Sequence, residues 1–199
     1  SNAQVSADVG EDYLNISLDS AWNSVKNVQV SSKDSADVKI DNFVHTDVRL
    51  DGNENSNVEV TGAKRGNIRT GGGDDNISVD AYTNGSGWSN QFNIFSGAGN
   101  DNITLSGDQG ITFFHINAGD GNDTINLIGE YAGSYANLGE GNDVFNSGGG
   151  RDFVISNHGD NSISTGAGED LIFTGKGNDV LDGGIGADRI SSGDGDDII

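Results

Sequence analysis

The stretch "GKGNDVLDGGIGADRISSGDGDDII", residues 175–199, repeats one short motif three times. Each copy reads Gly-x-Gly-x-Asp, and an aliphatic residue follows two positions after the aspartate. The aspartates Asp179, Asp188 and Asp197 are nine residues apart. A unit of this length has room for a short strand and a turn but not for a helix as well.

The same motif extends back to residue 71. From Gly139 onward the spacing is nine, whereas the earlier copies are 26, 22 and 20 residues apart. The candidate metal ligands are the residues at the carboxylate position, which are Asp75, Asp101, Asp123, Asp143, Asp152, Asn161, Asp170, Asp179, Asp188 and Asp197. With them we group the glycines of the motif, which are Gly71, Gly73, Gly97, Gly99, Gly119, Gly121, Gly139, Gly141, Gly148, Gly150, Gly166, Gly168, Gly175, Gly177, Gly184 and Gly186.

The wider early spacing indicates pairs of half-turns with insertions. Each of the three gaps contains a second apolar stretch: "QFNIF" at 91–95, "ITFFHI" at 111–116 and "SYANL" at 134–138. We interpret these stretches as half-turns that lack the glycine loop.

Residues 4–70 follow a different period, of ten residues. Pairs of inward residues recur at Val28/Val30, Val38/Ile40, Val48/Leu50, Val58/Val60 and Ile68/Thr70, each after an Asn or Asp. Within both periods the apolar residues are two apart, which is the spacing of a strand with one buried face.

Two strands and two turns make a coil of about 18 to 20 residues. A single coil cannot bury its apolar side chains, so coils must stack with each strand parallel to the one above it. The sequence therefore predicts an all-β parallel solenoid in which two sheets face each other across a thin core.

Composition restricts how such a chain can fold. Leu, Ile, Val and Phe total 47 of 199 residues, and the net charge is −21, which is close to the composition of disordered segments. The absence of cysteine excludes disulfides and thiolate zinc sites, which leaves a hard cation as the stabilising agent. The acidic excess argues against nucleic acid and anionic membranes as partners, and no apolar run is long enough to span a bilayer.

The glycines and the aspartate point to calcium. Glycine supplies the positive φ that a tight turn requires, and stacked turns bring carbonyl and carboxylate oxygens together. Such oxygens are the ligands that Ca²⁺ prefers.

The units "GAGNDNITL", "GDGNDTINL", "GEGNDVFNS" and "GKGNDVLDG" resemble the RTX (repeats-in-toxin) calcium-binding nonapeptide repeat over residues 71–199. The resemblance implies a right-handed parallel β-roll, or β-helix, in which each ion lies between the loops of successive coils, held by loop carbonyls and by aspartates of both coils. Residues 4–70 match less well. We expect them to form a solenoid without calcium, with Asp37 over Asn57 and Asp47 over Asn67 in hydrogen-bonded ladders or turn caps.

Copies nine residues apart must lie on opposite edges of such a solenoid. One edge then carries Asp75, Asp101, Asp123, Asp143, Asn161, Asp179 and Asp197, and the other carries Asp152, Asp170 and Asp188. Counting gaps between stacked loops gives roughly six to eight calcium ions, with the weakest binding on either side of Asn161.

The function predicted from the sequence is a non-enzymatic module that folds on binding calcium outside the cell. Type I secretion from a Gram-negative bacterium, as part of a larger toxin, adhesin or exoenzyme, is what the resemblance implies. His45, His115 and His158 are isolated, and no catalytic motif occurs. The alternative is a module that binds a partner or a polysaccharide through its insertions, where Trp88 is an exposed aromatic candidate.

The two ends of the sequence also lead to expectations. Ser1-Asn2-Ala3 has the look of a cloning remnant. Ile199 is the aliphatic residue of the last repeat, so we expect the solenoid to continue in the parent protein, with its export signal further along the chain.

Overall fold

The computed structural model describes residues 3–8, 13–17, 25–82, 90–107, 112–129 and 133–199, and every regular element in these ranges is a β-strand. The strands form two large parallel sheets. In spatial order, sheet A consists of β1 (Ala3–Asp8), β3 (Val25–Ser32), β5 (His45–Leu50), β7 (Arg65–Arg69), β9 (Asn90–Ala98), β11 (Thr112–Asp120), β13 (Gly133–Glu140), β15 (Arg151–Ile155), β18 (Leu171–Phe173) and β21 (Arg189–Ser191).

Sheet B contains the strands that alternate with these along the chain. From the N-terminal coil onward they are β2 (Tyr13–Ser17), β4 (Asp37–Asp41), β6 (Asn57–Ala63), β8 (Asn76–Ala81), β10 (Asn102–Gly107), β12 (Thr124–Gly129), β14 (Val144–Asn146), β16 (Ser162–Ser164) and β19 (Val180–Asp182). A short third pair, β17 (Ala167–Gly168) and β20 (Ile185–Gly186), lies in the turns that lead from sheet B to sheet A in the C-terminal coils. The predicted parallel β-solenoid is confirmed.

Like residues stack on like residues because the register repeats from coil to coil. In sheet B, Ile103 pairs with Ile77 on one side and Ile125 on the other. In sheet A, Ile116 pairs with Ile94 and Ala136. All six side chains are fully buried in one core shared by the two sheets. The alternation seen in the sequence thus becomes an inner column of aliphatic residues along each sheet.

The half-turns predicted to lack a glycine loop form strands, because residues 91–95, 112–116 and 134–138 lie in β9, β11 and β13. The ten-residue period also forms strands, with Val38 and Ile40 in β4 and Val58 and Val60 in β6 facing inward. Strands β6 and β7 pair directly with β8 and β9, so one pair of sheets runs through both segments. That residues 4–70 bind no calcium, whereas residues 71–199 do, stays a prediction.

The insertions predicted in the residues that follow position 71 lie largely outside the described residues. These are residues 83–89, which include Trp88, together with 108–111 and 130–132. The suggested contact role of Trp88 therefore stays a prediction. Within the described part of the chain there is no helix with the length and apolar character needed to cross a bilayer.

Replacing Ile103 by alanine should lower the free energy of unfolding by about 2–5 kcal/mol, because this side chain is fully buried in sheet B. The matched control is Ile128→Ala, since Ile128 is on the outer face of the same sheet and 55% exposed. Urea unfolding would measure both. Equal losses would contradict the inward and outward assignment of these strands.

Candidate calcium-binding edges

The turns between the sheets form two edges. The first edge consists of turns from sheet A into sheet B and carries Asp75, Asp101, Asp123, Asp143, Asn161, Asp179 and Asp197. The second edge consists of turns from sheet B into sheet A and carries Asp152, Asp170 and Asp188. The stacking predicted from the spacing is confirmed, whereas the role of these residues as metal ligands stays a prediction.

A ladder of buried carboxylates runs along the first edge. The main-chain N–H of each member donates to the side-chain Oδ1 of the next, so that Asp75 N–H donates to Asp101 at 2.8 Å and Asp101 N–H to Asp123 at 2.8 Å. The pattern continues through Asp143, Asn161, Asp179 and Asp197 at 2.8–3.0 Å. The second edge has the same bond from Asp152 to Asp170 and from Asp170 to Asp188.

The second carboxylate oxygen of most of these aspartates has no donor. Among the described residues, buried Oδ2 atoms without a hydrogen-bond partner belong to Asp75, Asp101, Asp123, Asp143, Asp170 and Asp179. A buried ionised oxygen without a partner is costly unless a cation or a proton neutralises it. The repetition of this feature from coil to coil marks a binding position for a cation.

The glycines allow successive loops to approach closely. A Cβ on Gly119, where φ is 117°, would overlap the carbonyl oxygen of Gly97, and one on Gly121 would overlap that of Gly99. Among the motif glycines that lack a positive φ, a Cβ would overlap backbone of the preceding coil at Gly71, Gly168, Gly175 and Gly186 but not at Gly148. At those four positions the close approach requires glycine. The result is a narrow cradle of carbonyl oxygens in most of the turns that carry the aspartates.

These residues fit calcium. The available ligands are oxygen atoms, and the cradles bring carbonyls of two coils beside a carboxylate. Within the described ranges no three His, Asp or Glu side chains converge as a metal cluster. The fit requires no such cluster, because loop carbonyls supply the remaining ligands. The residues that would hold each ion are the aspartates and the loop carbonyls of two successive coils.

Burial changes the protonation of the ladder. Desolvation raises the pKa of Asp123 to about 7 and the pKa values of Asp75 and Asp143 to about 6. It also raises the pKa values of Asp101 and Asp170 above the ordinary range. Asp197 is half-buried, and the hydrogen bond from the Asp179 N–H lowers its pKa. Without a cation, the five aspartates with a raised pKa therefore hold a proton more readily than a free carboxyl group does.

Asn161 differs from its neighbours because it brings donors of its own. Its Nδ2 donates to the Gly159 carbonyl at 2.8 Å and to Asp179 Oδ1 at 3.0 Å, while its Oδ1 accepts the Asp143 N–H. The amide thus partly takes the place of a cation beside Asp179. This geometry favours the prediction of weaker binding beside Asn161.

Asp152, the first aspartate of the second edge, is contacted by two serines. Ser134 Oγ donates to its Oδ1 at 2.8 Å, and Ser147 Oγ lies 2.6 Å both from its Oδ2 and from the carbonyl oxygen of Thr165, so these two acceptors share one hydroxyl proton. Sequence reasoning missed both serines because neither occupies a position of the glycine motif. At the N-terminal end of the second edge, serine hydroxyl groups therefore contact the first aspartate.

A second ladder on the first edge was also missed. The residue before each aspartate is exposed, and its N–H donates to the side chain of the corresponding residue in the preceding coil. Examples are Asn122 to Asn100 at 2.8 Å and Asn142 to Asn122 at 2.7 Å. Recurrent asparagine in the "GND" of four units, at Asn100, Asn122, Asn142 and Asn178, was the available signal. This ladder runs in the opposite direction to the buried one.

A family model agrees with this geometry. The model for the RTX calcium-binding nonapeptide repeat matches residues 115–127, 137–172 and 164–199, with four copies. Residues 115–199 contain RTX calcium-binding repeats. The RTX match begins within β11 and includes the whole second edge and, on the first edge, the positions from Asp123 to Asp197. No curated protein and no solved structure matched in the corresponding comparisons.

Replacing Asp123 by asparagine should raise the calcium concentration at the midpoint of folding roughly two- to tenfold, because the gaps beside this RTX position lose a charged ligand. Asp120→Asn removes the same charge three residues away, at an exposed loop position, and should leave the midpoint unchanged. Calcium titrations followed by circular dichroism would measure both. Equal shifts would contradict a ligand role for the buried ladder.

Calcium-free protein should be more stable near pH 4.5 than near pH 8. The folded pKa values of Asp75, Asp123 and Asp143 are raised. Their contribution is therefore fully present below the unfolded value near 4 and is lost as the pH rises through about 6 to 7. The folded fraction of calcium-free protein, followed by its far-UV circular dichroism at the two pH values, would measure the difference. In the triple variant with asparagine at these positions, the difference should shrink; an unchanged difference would place the effect elsewhere.

Proposed function

We propose that this chain is a non-enzymatic module of a larger secreted protein, a toxin, adhesin or exoenzyme, and that it folds when it binds calcium. The observation that carries the proposal is the column of buried aspartates, each with an oxygen that lacks a hydrogen-bond donor. One such oxygen would be a local defect. Its repetition along the solenoid fits a structure completed by a row of cations.

Charge makes folding conditional on the ion. The chain carries 31 acidic and 10 basic side chains, and the ladder holds its carboxylates in neighbouring coils, where they repel one another. At low calcium the chain stays expanded because its apolar content is small. At extracellular calcium concentrations, binding to the folded state shifts the equilibrium toward it.

The ladder steps suggest where the ions bind. Six steps on the first edge and two on the second correspond to roughly eight ions, with the sites beside Asn161 the weakest. We assign no ion to residues 25–56, because Ala36 and Ser56 occupy the aspartate position there. In the N-terminal coils a side-chain hydrogen bond stabilises the stack, because Asn67 Nδ2 donates to Asp47 at 2.6 Å.

The RTX repeat is a structural calcium-binding fold, and its family is typical of secreted proteins of Gram-negative bacteria. Export in an unfolded state through a type I system suits this chain, because calcium is scarce inside the cell and the chain has no cysteine. Folding would then begin only outside the cell. A partner-binding role is a second candidate, and it is favoured by the concentration of arginine on one outer face described below.

A calcium titration of chelator-treated protein, followed by far-UV circular dichroism, tests the proposal. The β signal should be low without calcium, rise cooperatively between micromolar and millimolar Ca²⁺, and respond poorly to Mg²⁺, which prefers a smaller and more rigid octahedral site. A full β signal in chelator would overturn the folding role. Equal responses to the two ions would overturn the assignment of calcium.

A further inference from the structure

All five arginines of the chain lie on the outer face of sheet A. We define the arginine face as the outward residues of the strands from β5 to β21; its arginines are Arg49, Arg65, Arg69, Arg151 and Arg189. Every one is exposed. Among these outward positions in the described strands, three residues are acidic. Asp47 lies within β5, and Asp120 and Glu140 end β11 and β13 at the first edge.

The outer face of sheet B is the opposite. Its described strands carry one outward basic residue, Lys39, and the acidic residues Asp37, Asp41, Glu59, Asp80 and Asp182. A chain with a net charge of −21 has therefore concentrated its arginine on one of two otherwise equivalent surfaces. This separation indicates a binding face for an anion rather than general solubility.

Four of the five arginines are free to bind a ligand. Arg49 forms an ion pair with Asp51 at 2.8 Å, whereas Arg65, Arg69, Arg151 and Arg189 form no ion pair with any described residue. Planar guanidinium groups bind carboxylates through two parallel hydrogen bonds.

An aromatic ridge lies between the two groups of arginines. The ring centroids of His115 and Tyr135 are 4.8 Å apart, those of Tyr135 and Phe153 are 5.3 Å apart, and those of Phe153 and Phe173 are 5.7 Å apart. The rings of Tyr135 and Phe153 are nearly parallel, with an angle of 12° between their planes. Because the rings of Tyr135 and Phe153 stack on each other, the ridge offers few free ring faces on which nucleic-acid bases could stack.

The shape of the face suits a polymer. From β7 to β21 it spans seven strands, or about 29 Å at the usual strand spacing. It is broad, and a depression of about 350 Å³ near its N-terminal end is lined in part by Asn67, Arg69 and Phe95. Asn93 Nδ2 donates to Asn67 at 2.7 Å, which places amide groups beside the rings. Amides match the hydroxyl groups of sugars.

We propose that the arginine face binds an acidic polysaccharide whose carboxylates pair with Arg65, Arg69, Arg151 and Arg189 while its hydroxyl groups reach the amides of Asn67 and Asn93. This deepens the partner-binding role above and rests on it. An acidic peptide or a single-stranded nucleic acid shares the negative charge but brings fewer hydroxyl groups to these amides.

Calorimetric titration of the calcium-saturated protein tests the proposal. The probes are hyaluronate oligosaccharides and short oligogalacturonate, with dextran, poly-glutamate and single-stranded DNA as comparisons. The two carboxylated glycans should bind more tightly than any comparison polymer. Failure of both glycans to bind would overturn the proposal, as would equal or tighter binding of poly-glutamate, DNA or dextran.

Matched variants locate the site. The double variants Arg65→Gln/Arg69→Gln and Arg151→Gln/Arg189→Gln should each weaken glycan binding about tenfold or more. The control Lys33→Gln/Lys176→Gln removes two charges from turns of the first edge and should have no such effect. Equal losses in all three variants would overturn the assignment to this face. An unchanged calcium-dependent β signal would show that a failure of glycan binding leaves the folding role intact.

Discussion

Repulsion between stacked aspartates is the constraint on which the rest of this solenoid depends. Parallel coils in constant register place each residue directly above its counterpart in the next coil. This stacking stabilises a column of isoleucines, whereas in a column of carboxylates it brings like charges together. The ladder offsets part of the penalty by giving Oδ1 an N–H donor, but it leaves Oδ2 without one. The same regularity that forms the core thus creates a row of sites whose charge must be neutralised from outside the chain.

The two edges and the two outer faces of the solenoid have different roles. Close contact between glycine loops, as at Gly119 above Gly97, makes the first edge an oxygen-lined wall. Serines close the upper end of the second edge at Asp152. The outer faces are less constrained because their side chains point into solvent, so one could accumulate arginine and rings while the other remained acidic. Stability and recognition therefore reside on different surfaces of the same coils.

The periodic features could be predicted from the sequence because a solenoid converts sequence spacing directly into position. Spacing alone separated Asp179 and Asp197 from Asp188, and alternation of Val58 and Val60 identified inward residues. Contacts outside the motif could not be found in this way. Ser147 reaches Asp152 only because of the path of its turn, and the arginines are too widely spaced for any period to reveal that they share a face.

The opposed directions of the two first-edge ladders bear on how the chain assembles. Each loop gives one N–H to the coil above and one to the coil below, as Asn122 and Asp123 do, and it accepts one from each side. Every junction is therefore closed by the same pair of bonds, whichever coil arrives second. These bonds alone therefore favour neither end of the solenoid as the point from which the coils close.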